Sequence, residues 1–220
     1  MSPSPDPNAA RRLLIWGGGG HGKVVADLAR AAGFIVAGFV DRDASKVGAA
    51  IEPMGARVLL DEVAFLAGLA RTPGEHGAVA LAIGDNAARV AAYRRLQGRV
   101  ECPRLVHPSA VISSTASVGC GSVVLPQVVV NTAATVGQAV ILNSGSVVEH
   151  DCELDDGVHI SPNATLAGGV RIGAESWIGA GATIIQGVRV GARCMVGAGA
   201  VVLRDVPDGT KVVGCPAKPI

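Results

Sequence analysis

The feature that most constrains this chain is a period of six, unbroken from Val106 to Val206. Read in sixes from Val106, every first position is aliphatic: Val106, Ile112, Val118, Val124, Val130, Val136, Leu142, Val148, Leu154, Ile160, Leu166, Ile172, Ile178, Ile184, Val190, Val196 and Val202. Four residues further on runs a second series, small or β-branched throughout, from Ala110, Ala116 and Ser122 to Cys194, Ala200 and Val206. Neither the helical period of 3.6 nor the strand period of 2 matches this spacing. It is a solenoid period, with one short strand and one turn per hexad and three hexads per triangular coil. The aliphatic positions point inward and stack coil on coil, about 4.8 Å apart. The small series fits the corners. Glycine often follows the aliphatic position, as at Gly119, Gly173, Gly179 and Gly197, and is expected to supply turn conformations closed to other residues. An all-β sandwich would need irregular strand spacing. The period does not fix handedness, and parallel crossovers are normally right-handed.

Composition agrees with such a core. The 220 residues are 49% hydrophobic but only 3% aromatic, as a solenoid filled by Val, Ile and Ala requires. They are enough for two modest domains. No apolar run reaches the roughly 18 residues of a membrane span. Met1 to Ala10 is polar and proline-rich, which reads as a disordered tail and not a signal peptide. The net charge of +1, without a basic block, argues against a nucleic-acid partner. Cys102, Cys120, Cys152, Cys194 and Cys215 are odd in number and scattered, so neither a disulfide framework nor CxxC ligation is expected. A reducing cytoplasm is the simplest compartment.

Ahead of the solenoid, strands and helices alternate. Arg12 to Trp16 reads as a strand, Lys23 to Ala32 as a helix with Val24, Val25, Leu28 and Ala32 on one face, and Ile35 to Val40 as a second strand closing at Asp41. A helix over Asp61 to Leu69, a third strand over Ala78 to Ile83 and a helix from about Ala87 to Leu96 follow. This order implies a small parallel sheet covered by helices. The division is therefore 1–10 tail, 11–104 Rossmann-like domain and 105–220 solenoid.

Gly17-Gly-Gly-Gly-His-Gly22 contains the spacing GxGxxG between a strand and a helix, with Asp41 at the end of the next strand. This is the layout of a dinucleotide site, in which bare N–H groups cradle a diphosphate and a carboxylate holds a ribose hydroxyl. An NAD-dependent dehydrogenase is thus one reading. No second catalytic domain for hydride transfer follows, which favours another diphosphate ligand.

Of the five histidines, His76 lies in a Gly-rich loop and His107 begins the solenoid, both expected at the surface, while His21 sits in the glycine loop. His150 is the third residue of its hexad, so it projects from a corner, and Asp151 follows it. His159 lies half a coil on. A zinc site needs three convergent histidines, and the spacing offers none.

Together with Phe39-Val-Asp41, Ala82-Ile-Gly-Asp-Asn86, Ile141-Leu-Asn-Ser-Gly-Ser-Val-Val-Glu-His-Asp-Cys152 and the ending Gly214-Cys-Pro-Ala-Lys218, these motifs make the whole chain resemble the NeuD/PglD-like nucleotide-sugar N-acetyltransferases. The resemblance implies a left-handed parallel β-helix and acetylation of the amino group, at C4, of a nucleotide-linked amino sugar during surface polysaccharide or glycan synthesis. It implies a trimer with acetyl-CoA as co-substrate between neighbouring β-helices and no metal. It places the general base on His150 and its orienting acid on Asp151, where Glu is common in the family. Acetyl-CoA contacts fall on His159, Gly168, Ala180 and Ala198, and nucleotide-sugar contacts on Gly19, Gly20, His21, Asp41 and Arg42. Two other readings are O-acetylation of a sugar or serine hydroxyl and a non-enzymatic sugar-nucleotide-binding regulator. The nucleotide-type first domain argues against serine, and Glu149-His150-Asp151 argues against the regulator.

Overall fold

The computed structural model describes residues 11–71 and 77–220. The expected tail and His76 lie outside the described residues. The first half is a five-stranded sheet in the order β3-β4-β2-β1-β5. Its elements are β1 (Arg12–Trp16), α1 (Gly20–Ala31), β2 (Ile35–Asp41), β3 (Ala50–Ile51), β4 (Ala56–Asp61), α2 (Glu62–Arg71), β5 (Ala78–Leu81) and α3 (Asn86–Leu96). β1 runs parallel to β2 and β5, and β4 parallel to β2. Both faces of β1 are covered: Leu13 and Ile15 belong to one buried cluster, Leu14 and Trp16 to another. That explains its uninterrupted apolar sequence.

Two details depart from the sequence reading. The helix expected to start at Lys23 begins at Gly20, and Val24 is 43% exposed, so the buried stripe is Val25, Ala26, Leu28 and Ala29. The strands β3 and β4 were not anticipated. They form an antiparallel pair, and β3 has only two residues, too short to carry a periodic signal.

The solenoid follows the period closely. Seventeen two-residue strands run from β6 (Leu105–Val106) to β22 (Val201–Val202), each ending on a first hexad position. Strands pair in parallel with those eighteen residues away, as Val129 with Val147 and His159 with Trp177, so three hexads make a coil. From Val118 to Val202 the first positions are all buried. Val106 and Ile112, in the first coil, are only partly so. At the other end β23 (Lys211–Val213) and β24 (Lys218–Pro219) form an antiparallel pair joined through Gly214-Cys-Pro-Ala, and Val212 closes the core.

The corners correct one expectation. From Gly121 to Gly199 every sixth residue has positive φ, between 52° and 72°; glycine fills seven of these fourteen sites and Gln127, Ala133, Ala139, Asp151, Asn163, Glu175 and Arg193 the others. The turn conformation belongs to this fourth hexad position. Glycine at the second position answers a different need, room for the coil above. A Cβ on Gly173 would stand 2.5 Å from the backbone nitrogen of Ala192, and one on Gly119 2.5 Å from the carbonyl oxygen of Gly137.

The first domain rides on one face of the solenoid. Leu105, Val123, Leu125 and Ile141 from that face share a buried cluster with Leu28, Phe39 and Ala80. The outward column of the face continues from Ile141 to His159, Trp177 and Met195, beyond the docked domain.

Candidate active site and its two halves

His150 sits where the chain turns from the strand Val147–Val148 into Glu153–Leu154. Its side chain is largely exposed, and its Nδ1 lies 2.8 Å from Asp151 Oδ2. Asp151 occupies a left-handed turn site, φ 59°, a conformation that Asp tolerates better than most residues. One residue therefore makes the corner and grips the imidazole. That hydrogen bond, together with the nearby negative charges of Asp151 and Glu149, raises the His150 pKa above the ordinary histidine value. Gly168, eighteen residues on, lies over the other edge of the ring: a Cβ there would fall 2.5 Å from Nε2 and Cε1. Only glycine leaves that edge accessible. The N–H groups of Gly168, Ala180 and Ala198, all third hexad positions, make no hydrogen bond among the described residues. Ala180 and Ala198 are exposed at a different corner.

His159 lies at the seam between the domains. It is half-buried, its Nε2 is 3.4 Å from Asn143 Nδ2, and its ring stacks on Trp177 at 6.0 Å between centroids. Burial first, and then the charge of Arg89 and the proximity of His21, push its pKa down to about 3. His21 also faces this seam. Burial and Arg89 lower its pKa to about 4, and its Nε2 is buried without a hydrogen-bond partner among the described residues.

Arg89 is the residue that sequence reasoning missed here. It is 1% exposed and gives all its N–H groups to neutral oxygens. Nε donates to Ala139 O at 2.7 Å and Nη2 to Gly157 O at 2.8 Å, on successive coils. Nη1 donates to Ile83 O and Gly84 O, and Nη2 also to Asn86 Oδ1. Asn86 Nδ2 takes the next coil's carbonyl, Glu175 O, at 2.9 Å. Helix α3 is thus fastened to a carbonyl ladder on three coils. Burial lowers the Arg89 pKa to about 10, which leaves it charged at neutral pH. The Asp-Asn of Ala82-Ile-Gly-Asp-Asn86 hinted at this junction; an arginine amid alanines on α3 gave no sign.

The glycine loop lines a cavity of about 510 Å³ with Asp41, Arg42, Lys46, Glu62, Asp85 and Arg95 among its walls. Its glycines divide the work. A Cβ on Gly17 or Gly22 would meet backbone oxygen at 2.4 or 2.1 Å, so these two allow strand and helix to pack. Gly19 and Gly20 face open space, and α1 starts there without a side-chain cap, leaving its first N–H groups to a ligand. Asp41 is 6% exposed. Burial raises its pKa, but hydrogen bonds from the Asp43 and Gly18 N–H groups, each 3.0 Å, and the Lys46 ammonium outweigh it and hold the carboxyl below its usual value. Asp41 therefore shapes the loop as well as lining the cavity. Arg42 is exposed at the rim. His21, grouped with these residues by sequence, is not among the cavity's walls and turns to the seam instead. His107 is half-buried, with Nδ1 2.8 Å from Ser109 Oγ, and not surface-exposed as expected.

Among the described residues no three His, Cys, Asp or Glu side chains gather in a metal-holding group, and no helix is long and apolar enough to cross a membrane.

Comparison with known proteins agrees on both halves. Residues 12–96 match the PglD N-terminal domain, and residues 169–204 match the bacterial transferase hexapeptide model of six repeats. No curated protein sequence matches. Among solved structures, a histidine-to-alanine variant of GDP-perosamine N-acetyltransferase from Caulobacter crescentus, in complex with CoA and GDP-perosamine, is 37% identical; the alignment covers 94% of this chain and 96% of that one, with a TM-score of 0.86. The acetyltransferase domain of PglB from Neisseria gonorrhoeae is 39% identical, with 96% and 100% covered and a TM-score of 0.86. WeeI from Acinetobacter baumannii is 28% identical over 94% and 99%, with a TM-score of 0.82. The chain thus belongs to the PglD-type nucleotide-sugar N-acetyltransferases, acyltransferases that join a Rossmann-like N-terminal domain to a parallel hexapeptide-repeat β-helix.

Proposed function

We propose that this protein transfers the acetyl group of acetyl-CoA to the C4 amino group of a nucleotide-linked amino sugar, in the cytoplasm, for surface polysaccharide or glycan synthesis. The observation that carries the reading is the corner itself: His150 Nδ1 held by Asp151 Oδ2 at 2.8 Å, with Nε2 open beneath Gly168. Relatives bound to CoA with GDP-perosamine, and to acetyl coenzyme A, support the two substrates.

Neutral His150 accepts a proton from the attacking amine at Nε2, while Nδ1–H donates to Asp151. The amine nitrogen bonds to the thioester carbon directly, without an acyl-enzyme. The developing oxyanion takes the unused Gly168 N–H, the kind of fixed donor that stabilises such charge. The C–S bond then breaks, and the imidazolium returns its proton to the CoA thiolate. His159, Ala180 and Ala198 would line the path of acetyl-CoA. Gly19, Gly20, Asp41 and Arg42 would hold the nucleotide, with His21 toward the sugar end at the seam. His150 stands away from the domain-covered face, which favours a homotrimer whose neighbouring chains complete each site.

The test is direct. Purified protein is incubated with acetyl-CoA and a panel of UDP-, GDP- and dTDP-linked 4-amino sugars, with thiol release and product mass as readouts. One nucleotide sugar gaining a single amide-linked acetyl group is expected. Turnover on hydroxyl-only sugars, with none on any amino sugar, would replace N- by O-acetylation.

A further inference from the structure

We propose that Glu149, fixed by Asn131, is a positioning residue for His150, holding the backbone of the catalytic corner and adding a second carboxylate beside the imidazole. This rests on the reading of His150 as the base. Glu149 takes the second hexad position, the one glycine fills at 119, 137, 173, 179, 191 and 197. Here the half-buried carboxylate reaches back along its own corner. Its Oε2 accepts the His150 N–H at 3.3 Å and Asn131 Nδ2 at 2.9 Å. Asn131 is the same position one coil below, so the carboxylate is anchored to the rigid stack.

The consequence for His150 is twofold. The third-position N–H groups of Gly168, Ala180 and Ala198 lack an acceptor among the described residues, whereas those of Gln138, Ser144 and Ala192 are held by a side-chain oxygen, at Ser144 by the preceding residue Asn143. That of His150 is held in the same way, which limits how the corner can rock. Rocking by about 1 Å is enough to cost a reaction roughly 10²-fold. Glu149 also adds negative charge near the ring. Of the titratable groups, Asp151 and Glu149 act on His150, both favouring its protonated form. The coil below offers Thr132 and the coil above Gly168, neither of which titrates near neutral pH.

The experiment uses the full chain with its best amino-sugar substrate. Glu149→Gln keeps an oxygen acceptor and removes the charge; Glu149→Ala removes both. Asn131→Ala releases the anchor. For Glu149→Gln we expect the acidic limb of kcat/KM to move to lower pH, because losing a negative charge lowers the His150 pKa. Its kcat on the alkaline plateau should stay within about 3-fold. Glu149→Ala should lose about 10-fold or more in kcat with acetyl-CoA KM unchanged, and Asn131→Ala should fall between. The His150 imidazole signals, titrated by NMR without substrates, should move with the limb in Glu149→Gln. An unmoved His150 titration in Glu149→Gln, or wild-type kcat in Glu149→Ala, overturns the proposal. Failure of the base assignment shows separately, as full turnover in His150→Ala, and leaves the NMR titration to report whether Glu149 acts on the ring.

Discussion

The corner that carries His150 and the seam that carries His159 are half a coil apart on one solenoid, yet they treat a histidine in opposite ways. At the corner the ring is in solvent and tied to a carboxylate, so its protonated form is favoured. At the seam the ring is buried near a charged arginine, so its protonated form is excluded down to about pH 3. The difference comes from what the first domain covers. It lies over Leu105, Val123 and Ile141 and ends at His159, whereas the corner is left free. The lesson is that the repeat decides where a side chain points, and the docked domain decides how that side chain titrates. A group meant to cycle its proton belongs at the corner; one meant to stay neutral and donate or accept one hydrogen bond belongs at the seam.

The sharpest way to break this comparison is to remove each ring. His150→Ala should lower kcat by about 10²–10⁴-fold, the usual range for a general base, with acetyl-CoA binding retained because the exposed ring adds little to the core. Asp151→Asn should cost less, since the imidazole remains but loses its charged partner. His159→Asn should act chiefly on acetyl-CoA KM. Steady-state kinetics with both substrates varied separates these outcomes, and a larger kcat loss at His159 than at His150 would exchange the two roles.

A smaller effect is expected at Gly168. Gly168→Ala places a methyl group 2.5 Å from the His150 ring, which must swing aside. Because φ at 168 is not in the left-handed region, the backbone tolerates alanine and the solenoid should keep its melting temperature within a few degrees. kcat should fall about 10²-fold from misplacement alone. The adjacent Gly169→Ala meets no atom within 4 Å but does carry a φ of 69°, so it is the matched control: some loss of stability, little loss of turnover.

How much of this was legible beforehand follows from the same contrast. The solenoid was legible almost to the residue, because a strict repeat leaves each side chain one direction; Val118 through Val202 point inward as read. His150 and Asp151 could be placed at a corner by counting. What the count could not show was which glycines bend the chain and which make room, since both follow from coil-to-coil distance. The first domain was legible in its other strands and glycine loop but not in β3, only two residues long, nor in β4, which runs directly into α2 at Asp61–Glu62, where the sequence shows only the start of that helix. The orientation of His21 toward the seam depends on where the domain docks, and docking is carried by Arg89 and carbonyl oxygens that every residue type possesses. Beyond the Asp85-Asn86 pair, those contacts leave no trace in sequence pattern.

The gentlest test concerns the seam itself, through pH. His21 and His159 have folded pKa values lowered to about 4 and about 3, against an ordinary 6.5. Unfolding exposes both rings, so the unfolded chain binds more protons than the folded one wherever pH lies below about 6.5. Stability must then rise with pH through that window. It should be fully present above about 6.5 and decline progressively as pH falls toward 4 and 3. His150 has the opposite sign: its raised pKa favours the folded state at low pH and loses that preference as pH climbs through it, but the ring is exposed and the effect small. The seam therefore dominates. Urea midpoints measured from pH 7.5 to 4.5 should fall for the wild type and fall less steeply for His159→Asn, which removes one of the two rings. From pH 7.5 to about 5.5 the His21 and His159 imidazole signals should stay at their neutral positions while His150 titrates. Protonation of His159 near pH 6 in the folded protein would mean that the first domain does not close over it, and the contrast between corner and seam would disappear.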